Sequence, residues 1–212
     1  MSRYWFALIG ALILLSCSNS VDSDLDYAVY NYNPRAHRLL DTEEPDMAID
    51  LLEYAYGHLN PGLYGSLLHS DFRYEFTPED ADSAGLPPDE PWWGKVPDVQ
   101  STQALFEDPR LISLSLDLER VSPWARHVDS VTGLEGRLAQ FEPYIMVTIA
   151  LDPEPVIFLI YDSVLDISLV PVGHGEPADW GVLFIKESTD LSSGGSALTE
   201  PFTWGKLKIM YR

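Results

Sequence analysis

Hydrophobic periodicity changes once along this chain, and that change limits the folds open to it. Between Pro45 and the stop at Asn60-Pro61-Gly62, Ala48, Ile49, Leu51, Leu52, Ala55, Tyr56 and Leu59 recur at helical spacing, which predicts an amphipathic helix. Leu63, Leu67 and Leu68 predict a second short helix ending before Asp71. The spacing then drops to two. Phe72, Tyr74 and Phe76 alternate with Arg73 and Glu75, a strand that buries one face and turns Arg73 to solvent. Ser101 is placed to cap a third short helix through Ala104, Leu105 and Phe106, terminated by Pro109. Strands are expected around Ile112 to Leu118, Leu134 to Phe141, Tyr144 to Leu151, Val156 to Tyr161 with continuation to Val170 left open, Trp180 to Glu187, and Thr203 to Tyr211. The Ser/Gly-rich stretch Ser192 to Ser196 reads as a flexible connection. Helices first and consecutive strands afterwards indicate an α+β fold with a mostly antiparallel sheet, not alternating βαβ units.

The N-terminus carries a different signal. Arg3 precedes an apolar run from Trp5 to Leu15, followed by Ser16 and Cys17. That run makes a helix of about 16 Å, too short for a hydrocarbon core of about 30 Å but suited to an export signal. Leu14-Leu15-Ser16-Cys17 resembles the lipobox of bacterial lipoproteins. The resemblance implies cleavage after residue 16 and acylation of Cys17, with Ser18 directing the protein to the outer membrane where there are two membranes. Cys17 is also the sole cysteine, so the folded body has neither a disulfide nor a thiolate metal set. Residues 17–45, polar and acidic apart from Tyr27, Tyr30 and Tyr32, read as a tether and lead-in segment. Residues 46–212 then form a single domain.

The chain carries a formal net charge of −20. Such a surface repels nucleic-acid phosphates and anionic lipid alike, so nucleic acid is not an expected partner. Attachment to the lipid bilayer falls to the acyl chains. No HExxH arrangement is present, and Asp22, Asp24 and Asp26 lack the glycine and terminal glutamate of an EF-hand loop. Neither metal nor cofactor is expected. The absence of a GxSxG elbow and of a glycine-rich strand-to-helix loop argues against hydrolase, kinase and dinucleotide chemistry.

The order of elements, together with Leu51-Leu52-Glu53-Tyr54-Ala55-Tyr56 leading to Tyr64, Leu67 and Leu68 and on to Asp71-Phe72, then Thr102-Gln103-Ala104-Leu105-Phe106 and Phe202-Thr203-Trp204-Gly205-Lys206-Leu207-Lys208-Ile209, resembles the nuclear-transport-factor-2-like superfamily. The resemblance implies N-terminal helices packed on a strongly curved sheet, a cone whose mouth can hold a small apolar ligand. The superfamily includes ketosteroid isomerase-type and dehydratase-type enzymes and many non-catalytic modules, among them exported lipoproteins.

For chemistry in such a cone, Asp162 and Asp166 are the candidate carboxylates. With strand geometry they share a face with Val164, Ser168 and Val170, although that face, or a turn at Asp162, can equally meet solvent. Tyr54, Tyr56, Tyr64 and Tyr74 are candidate oxyanion donors or, alternatively, core residues with their hydroxyls at the rim. His69 and Asp71 share a strand face, but His69, like His58, also suits a helix C-terminus. His174, in Gly173-His174-Gly175, and the pair Trp92-Trp93 are candidate contacts for a ligand or partner; the alternatives are plain polar surface for His174 and a cap on the open end of the sheet for the tryptophans. The expected function is a non-catalytic, membrane-anchored envelope module that binds a small apolar molecule or an envelope protein. The alternative is a cofactor-independent isomerase or dehydratase. Oligomeric state is open. Replacing Cys17 with Ser is expected to abolish lipidation and membrane attachment, read by detergent partitioning of cell fractions; a membrane-bound variant would overturn the anchor.

Overall fold

A computed structural model describes residues 45–161, 163–172, 179–189 and 202–212. The chain divides into two units, Met1–Glu43 and Glu44–Arg212, and the described residues all belong to the second. Cys17, Asp162, His174 and the Ser192 to Ser196 stretch lie outside them.

The helical opening runs as the periodicity predicts. Helix α1 (Asp46–Gly57) buries Ala48, Ile49, Leu52, Ala55 and Tyr56. Helix α2 (Pro61–Leu67) begins at an Asn60 cap whose side chain accepts the Leu63 N–H at 2.9 Å. Strand β1 (Leu68–Glu75) follows. The polar stretch after it contains α3 (Pro78–Ser83), capped by Thr77, and the short strand β2 (Trp92–Gly94). Helix α4 (Lys95–Phe106) starts earlier than expected, so Ser101 lies inside it, not at its cap.

Six further strands complete an eight-stranded sheet: β3 (Leu111–Arg120), β4 (Ala125–Val128), β5 (Glu135–Ile149), β6 (Val156–Ile160), β7 (Ser163–Val172) and β8 (Asp179–Thr189). The order along the main path is β2-β1-β8-β7-β5-β3, with β4 and β6 also paired to β5. All pairings are antiparallel except β1 with β8. The molecule is therefore α+β, its N-terminal helices packed on a strongly curved, mostly antiparallel half-barrel.

The long strand β5 merges two expected strands. On one side it pairs with β4 through residues 135–138 and with β3 through residues 141–149; on the other it pairs with β7 through 137–141 and with β6 through 145–149. Pro143 falls between the β7 and β6 pairings, where a residue without an N–H costs the sheet no ladder bond. Inward residues line up across the strands: Tyr74, Ile185, Ile167 and Ala139 are register partners in turn and all belong to one core.

Two expectations fail for reasons of packing. Arg73 is buried, not solvated: its guanidinium makes two bonds to Asp129, at 2.6 and 3.1 Å, and lies 5.0 Å from the Phe184 ring centroid. The turn between β4 and β5 covers this part of the outer face. Thr203 to Tyr211 is not a strand but helix α5 (Trp204–Met210), capped by the Thr203 hydroxyl, which accepts the Lys206 N–H at 3.0 Å. Its buried residues Trp204, Leu207 and Lys208 follow helical spacing, while the alternation of Lys206 and Lys208 imitates a strand. Among the described residues, no helix is long and apolar enough to cross a membrane.

Strands β5 and β7 approach very closely at Gly136, where an added Cβ would overlap the Leu169 carbonyl oxygen. Gly136→Ala should cost about 1–3 kcal/mol. At about 2–4 °C per kcal/mol for a domain of this size, calorimetry should record a clearly lower Tm.

Candidate functional site

The interior between helices and sheet holds an unusual density of polar side chains, and each arrives from a different element. On α4, Asp98, Ser101, Thr102 and Leu105 follow helical spacing along one face, and all four are buried. Helix α2 supplies Tyr64, α1 Tyr56, β1 Tyr74, β8 Glu187 and α3 Asp80, all buried. Helix α5 brings Lys208 and the indole of Trp204 into their midst.

Two linked clusters result. In the first, Lys208 Nζ lies 2.8 Å from Asp98 Oδ1, a contact of charge without good hydrogen-bond geometry. The same ammonium donates to the Tyr64 hydroxyl at 3.2 Å and to Thr102 Oγ1 at 3.1 Å, while Tyr64 OH donates to Asp98 Oδ2. It also stands 5.1–5.4 Å from the ring centroids of Tyr64, Tyr74 and Trp204, close enough for cation–π attraction. Ser101 Oγ closes the end of α5 by donating to the Lys208 carbonyl at 2.6 Å, and Trp204 Nε1 donates to Tyr56 OH at 3.1 Å.

In the second cluster Glu187 is the hub. Its Oε2 accepts Tyr74 OH at 2.8 Å and the Gly205 N–H at 2.8 Å; its Oε1 accepts the Trp204 N–H at 2.9 Å. Asp80 accepts from the Thr203 hydroxyl, and its other oxygen is buried with no partner among the described residues. A Cβ on Gly205 would lie 3.0 Å from Asp80 Oδ2 and 3.2 Å from Glu187 Oε2. A side chain there would push on both carboxylates and on the Phe76 ring.

The electrostatics follow from burial. Glu187 holds its proton more firmly than an ordinary glutamate: burial pushes its pKa up and the Asp80 charge adds to this, outweighing the bonds from Tyr74, Gly205 and Trp204. Burial and the adjacent carboxylates, Asp98 at Tyr64 and Glu187 at Tyr74, hold both phenols well above the usual tyrosine value. Burial likewise raises Tyr56. At Lys208 burial opposes the charge, but Asp98 and Tyr56 together more than offset it, and the ammonium holds its proton more firmly than an ordinary lysine.

The residues expected from sequence separate here. Tyr56, Tyr64 and Tyr74 come together in the interior. Tyr54 does not: it is half-buried on α1 and stacks on His58 at 3.8 Å between ring centroids. Asp166 belongs to the outward set of β7, since Ser163, Leu165, Ile167 and Leu169 are the ones facing the core; its carboxylate accepts from Gln140 Nε2 at 3.0 Å. It is not an interior base. Trp93 is 4% exposed and packs edge-on against Phe76, whereas Trp92 is 38% exposed, so only Trp92 is free to meet a partner. His69 lies in β1, where Nδ1 accepts the Asp71 N–H at 3.1 Å. Among the described residues no group of His, Cys, Asp or Glu is arranged to hold a metal ion.

Glu187, Asp98, Asp80 and Lys208 were missed, although two left a trace. Glu187 continues the inward face of Ile185, and Lys208 lies four residues after Trp204. Asp98 left none, because the buried face of α4 is mostly polar and hydrophobic periodicity passes over it.

No family model matches the sequence, and neither does any curated protein. Among solved structures the chain is similar to a protein from Kribbella flavida, at TM-score 0.49 and 10% identity over 68% of this chain and 87% of that one. It is similar also to a nuclear-transport-factor-2-like superfamily protein from Salmonella enterica, at TM-score 0.45 and 12% identity over 72% and 93% of the two chains. A third is described as a candidate dehydratase of the same family from Streptomyces avermitilis, at TM-score 0.44 and 17% identity over 70% and 95%. At these values no residue role transfers.

Lys208→Met would strand the Asp98 charge in the interior, and a loss of about 3–5 kcal/mol is expected in urea unfolding. Adding Asp98→Leu should recover most of it. A single variant as stable as the wild type would show that the ion pair does not hold α5.

Proposed function

We propose that this chain is a lipid-anchored envelope protein whose interior carries out acid–base chemistry without a cofactor, of the isomerase or dehydratase class. The supporting observation is Glu187: a buried carboxylate with raised proton affinity, bonded by a tyrosine and set among further buried donors. Both reaction types remove a proton beside a carbonyl. They need a base poised toward neutrality and donors at the oxygen where charge develops. Glu187 is the base in this reading. Tyr74 and Tyr64, whose raised pKa values keep their protons in place, are the donors, and Lys208 supplies positive charge.

In the described state Trp204 and the backbone of α5 occupy both oxygens of Glu187. A substrate reaches the carboxylate only once α5 shifts from its seat. That closure favours a second reading, a non-catalytic module that binds a small molecule or an envelope partner elsewhere on its surface, for which exposed Trp92 is available. The anchoring proposed for both readings rests on the Arg3 to Cys17 segment.

The two are separated by proton exchange. Cyclic β,γ-enones and β-hydroxy ketones are incubated with the protein in D2O and followed by NMR. Acid–base function predicts deuterium incorporation at the α-carbon above the solvent rate, reduced about 10²–10⁴-fold in Glu187→Gln and to a lesser degree in Tyr74→Phe, with circular dichroism reporting retained folding. Wild-type protein that exchanges no faster than buffer would reject the chemistry and leave the binding module.

A further inference from the structure

At the opposite end of β8 from Glu187 lies a second polar feature that the interior network does not use. Trp180 and Glu187 are seven positions apart on that strand, a separation of about 23 Å at strand rise. There a cavity of about 410 Å³ is lined by residues 126–128 of β4 and 135–137 of β5, which include Arg126, His127, Glu135 and Arg137, and by Pro171 and Trp180. Its size is within the range of small-molecule sites.

Arg126 on β4 and Arg137 on β5 are direct register partners. Two residues directly opposite in an antiparallel pair project to the same side, and like charges so placed repel. Arg137 is also the register partner of Leu169, a core residue, so the pair lies on the inner side of the sheet, beyond the end of the apolar core. Among the described residues neither guanidinium has an ion pair or a side-chain hydrogen bond, while Arg73, Arg110 and Arg120 each hold a carboxylate. In a chain of net charge −20, carboxylates to neutralise this pair are plentiful, yet among the described residues none forms an ion pair with either arginine.

The other walls define what fits. Pro171 and Trp180 are register partners across β7 and β8 and give one apolar, partly aromatic surface. Glu135 adds a single negative charge at the rim, which disfavours a dianion and accepts from a hydroxyl or amine.

We propose that this cavity binds a small aromatic monocarboxylate, its carboxylate held by Arg126 and Arg137 and its ring laid against Trp180 and Pro171. Guanidinium forks match a planar carboxylate in charge and geometry, and a bound anion relieves the repulsion between the two arginines. The site is independent of Glu187 and of any chemistry there.

Isothermal titration of the full-length chain with 1-naphthoate, with the neutral alcohol 1-naphthalenemethanol and with inorganic phosphate tests this. Naphthoate should bind saturably and at least tenfold more tightly than the alcohol or phosphate. Arg126→Gln and Arg137→Gln should each weaken it tenfold or more. Neither substitution should lower the melting temperature of the unliganded protein, because each removes a repulsion. Absence of saturable naphthoate binding, equal binding of the alcohol, unchanged affinity in both variants, or tighter binding of phosphate would each overturn the assignment.

Discussion

The Lys208–Asp98 ion pair is the interaction on which the interior depends. Both ends are withdrawn from water, and a desolvated charge is tolerable only with a close partner and further hydrogen bonds. Tyr64 and Thr102 supply those bonds, three aromatic rings face the ammonium, and Ser101 fixes the Lys208 carbonyl. This seats the C-terminal helix. With α5 in place, the N–H groups of Trp204 and Gly205 reach Glu187, and Thr203 reaches Asp80. Removing the pair's charge match at one end would therefore disturb carboxylates carried by β8 and α3 as well.

Such a core is a costly way to fill a cone. Apolar side chains of similar volume commonly stabilise as well as or better than buried ions, so retaining three acids, one base and three tyrosine hydroxyls in one interior is a physical reason to look for chemistry there. The sheet provides the rigid half of the arrangement. Strand β5, paired on both sides along its length, fixes the inward faces of β3, β6 and β7, and β7 passes that register to β8 and β1. Glu187 and Tyr74 thereby project from adjoining strands toward the same point. The same register, followed to the other end of β8, places Arg126 against Arg137.

The outer face makes a related point about charge. Arg73 alternates with buried aromatics, and a single strand would turn it to water. The β4–β5 turn instead brings Asp129 over it, and the Thr132 backbone and hydroxyl complete the Asp129 carboxylate at 2.7 Å each. Asp129 consequently loses its proton more readily than a free aspartate, the bonds from Arg73 and Thr132 outweighing the effect of burial. Whether a charged residue is exposed depends here on a segment more than fifty residues away.

Local pattern alone determined the class of fold. The helical spacing of Ala48 to Leu59, the alternation in the strands and the order in which they occur lead to helices on a mostly antiparallel sheet, because burying one face of an element leaves a period that any reader of the sequence can count. Tyr74 was legible as a core-facing ring for the same reason, but whether its hydroxyl and that of Tyr64 end inside or at the rim was not. The side of Asp166 stayed open between core and solvent, since Val164, Ser168 and Val170 alternate as convincingly as Leu165, Ile167 and Leu169, and only pairing with β5 and β8 decides which set faces the helices. The C-terminal segment reads as a strand from its alternation, and it becomes a helix where Asp98 is present to accept Lys208. The merging of two strands into β5, the covering of Arg73 and the convergence of Glu187, Asp80, Asp98 and Lys208 were decided by tertiary structure. They depend on contacts between residues distant in the chain, and a buried charge leaves no hydrophobic period to mark it.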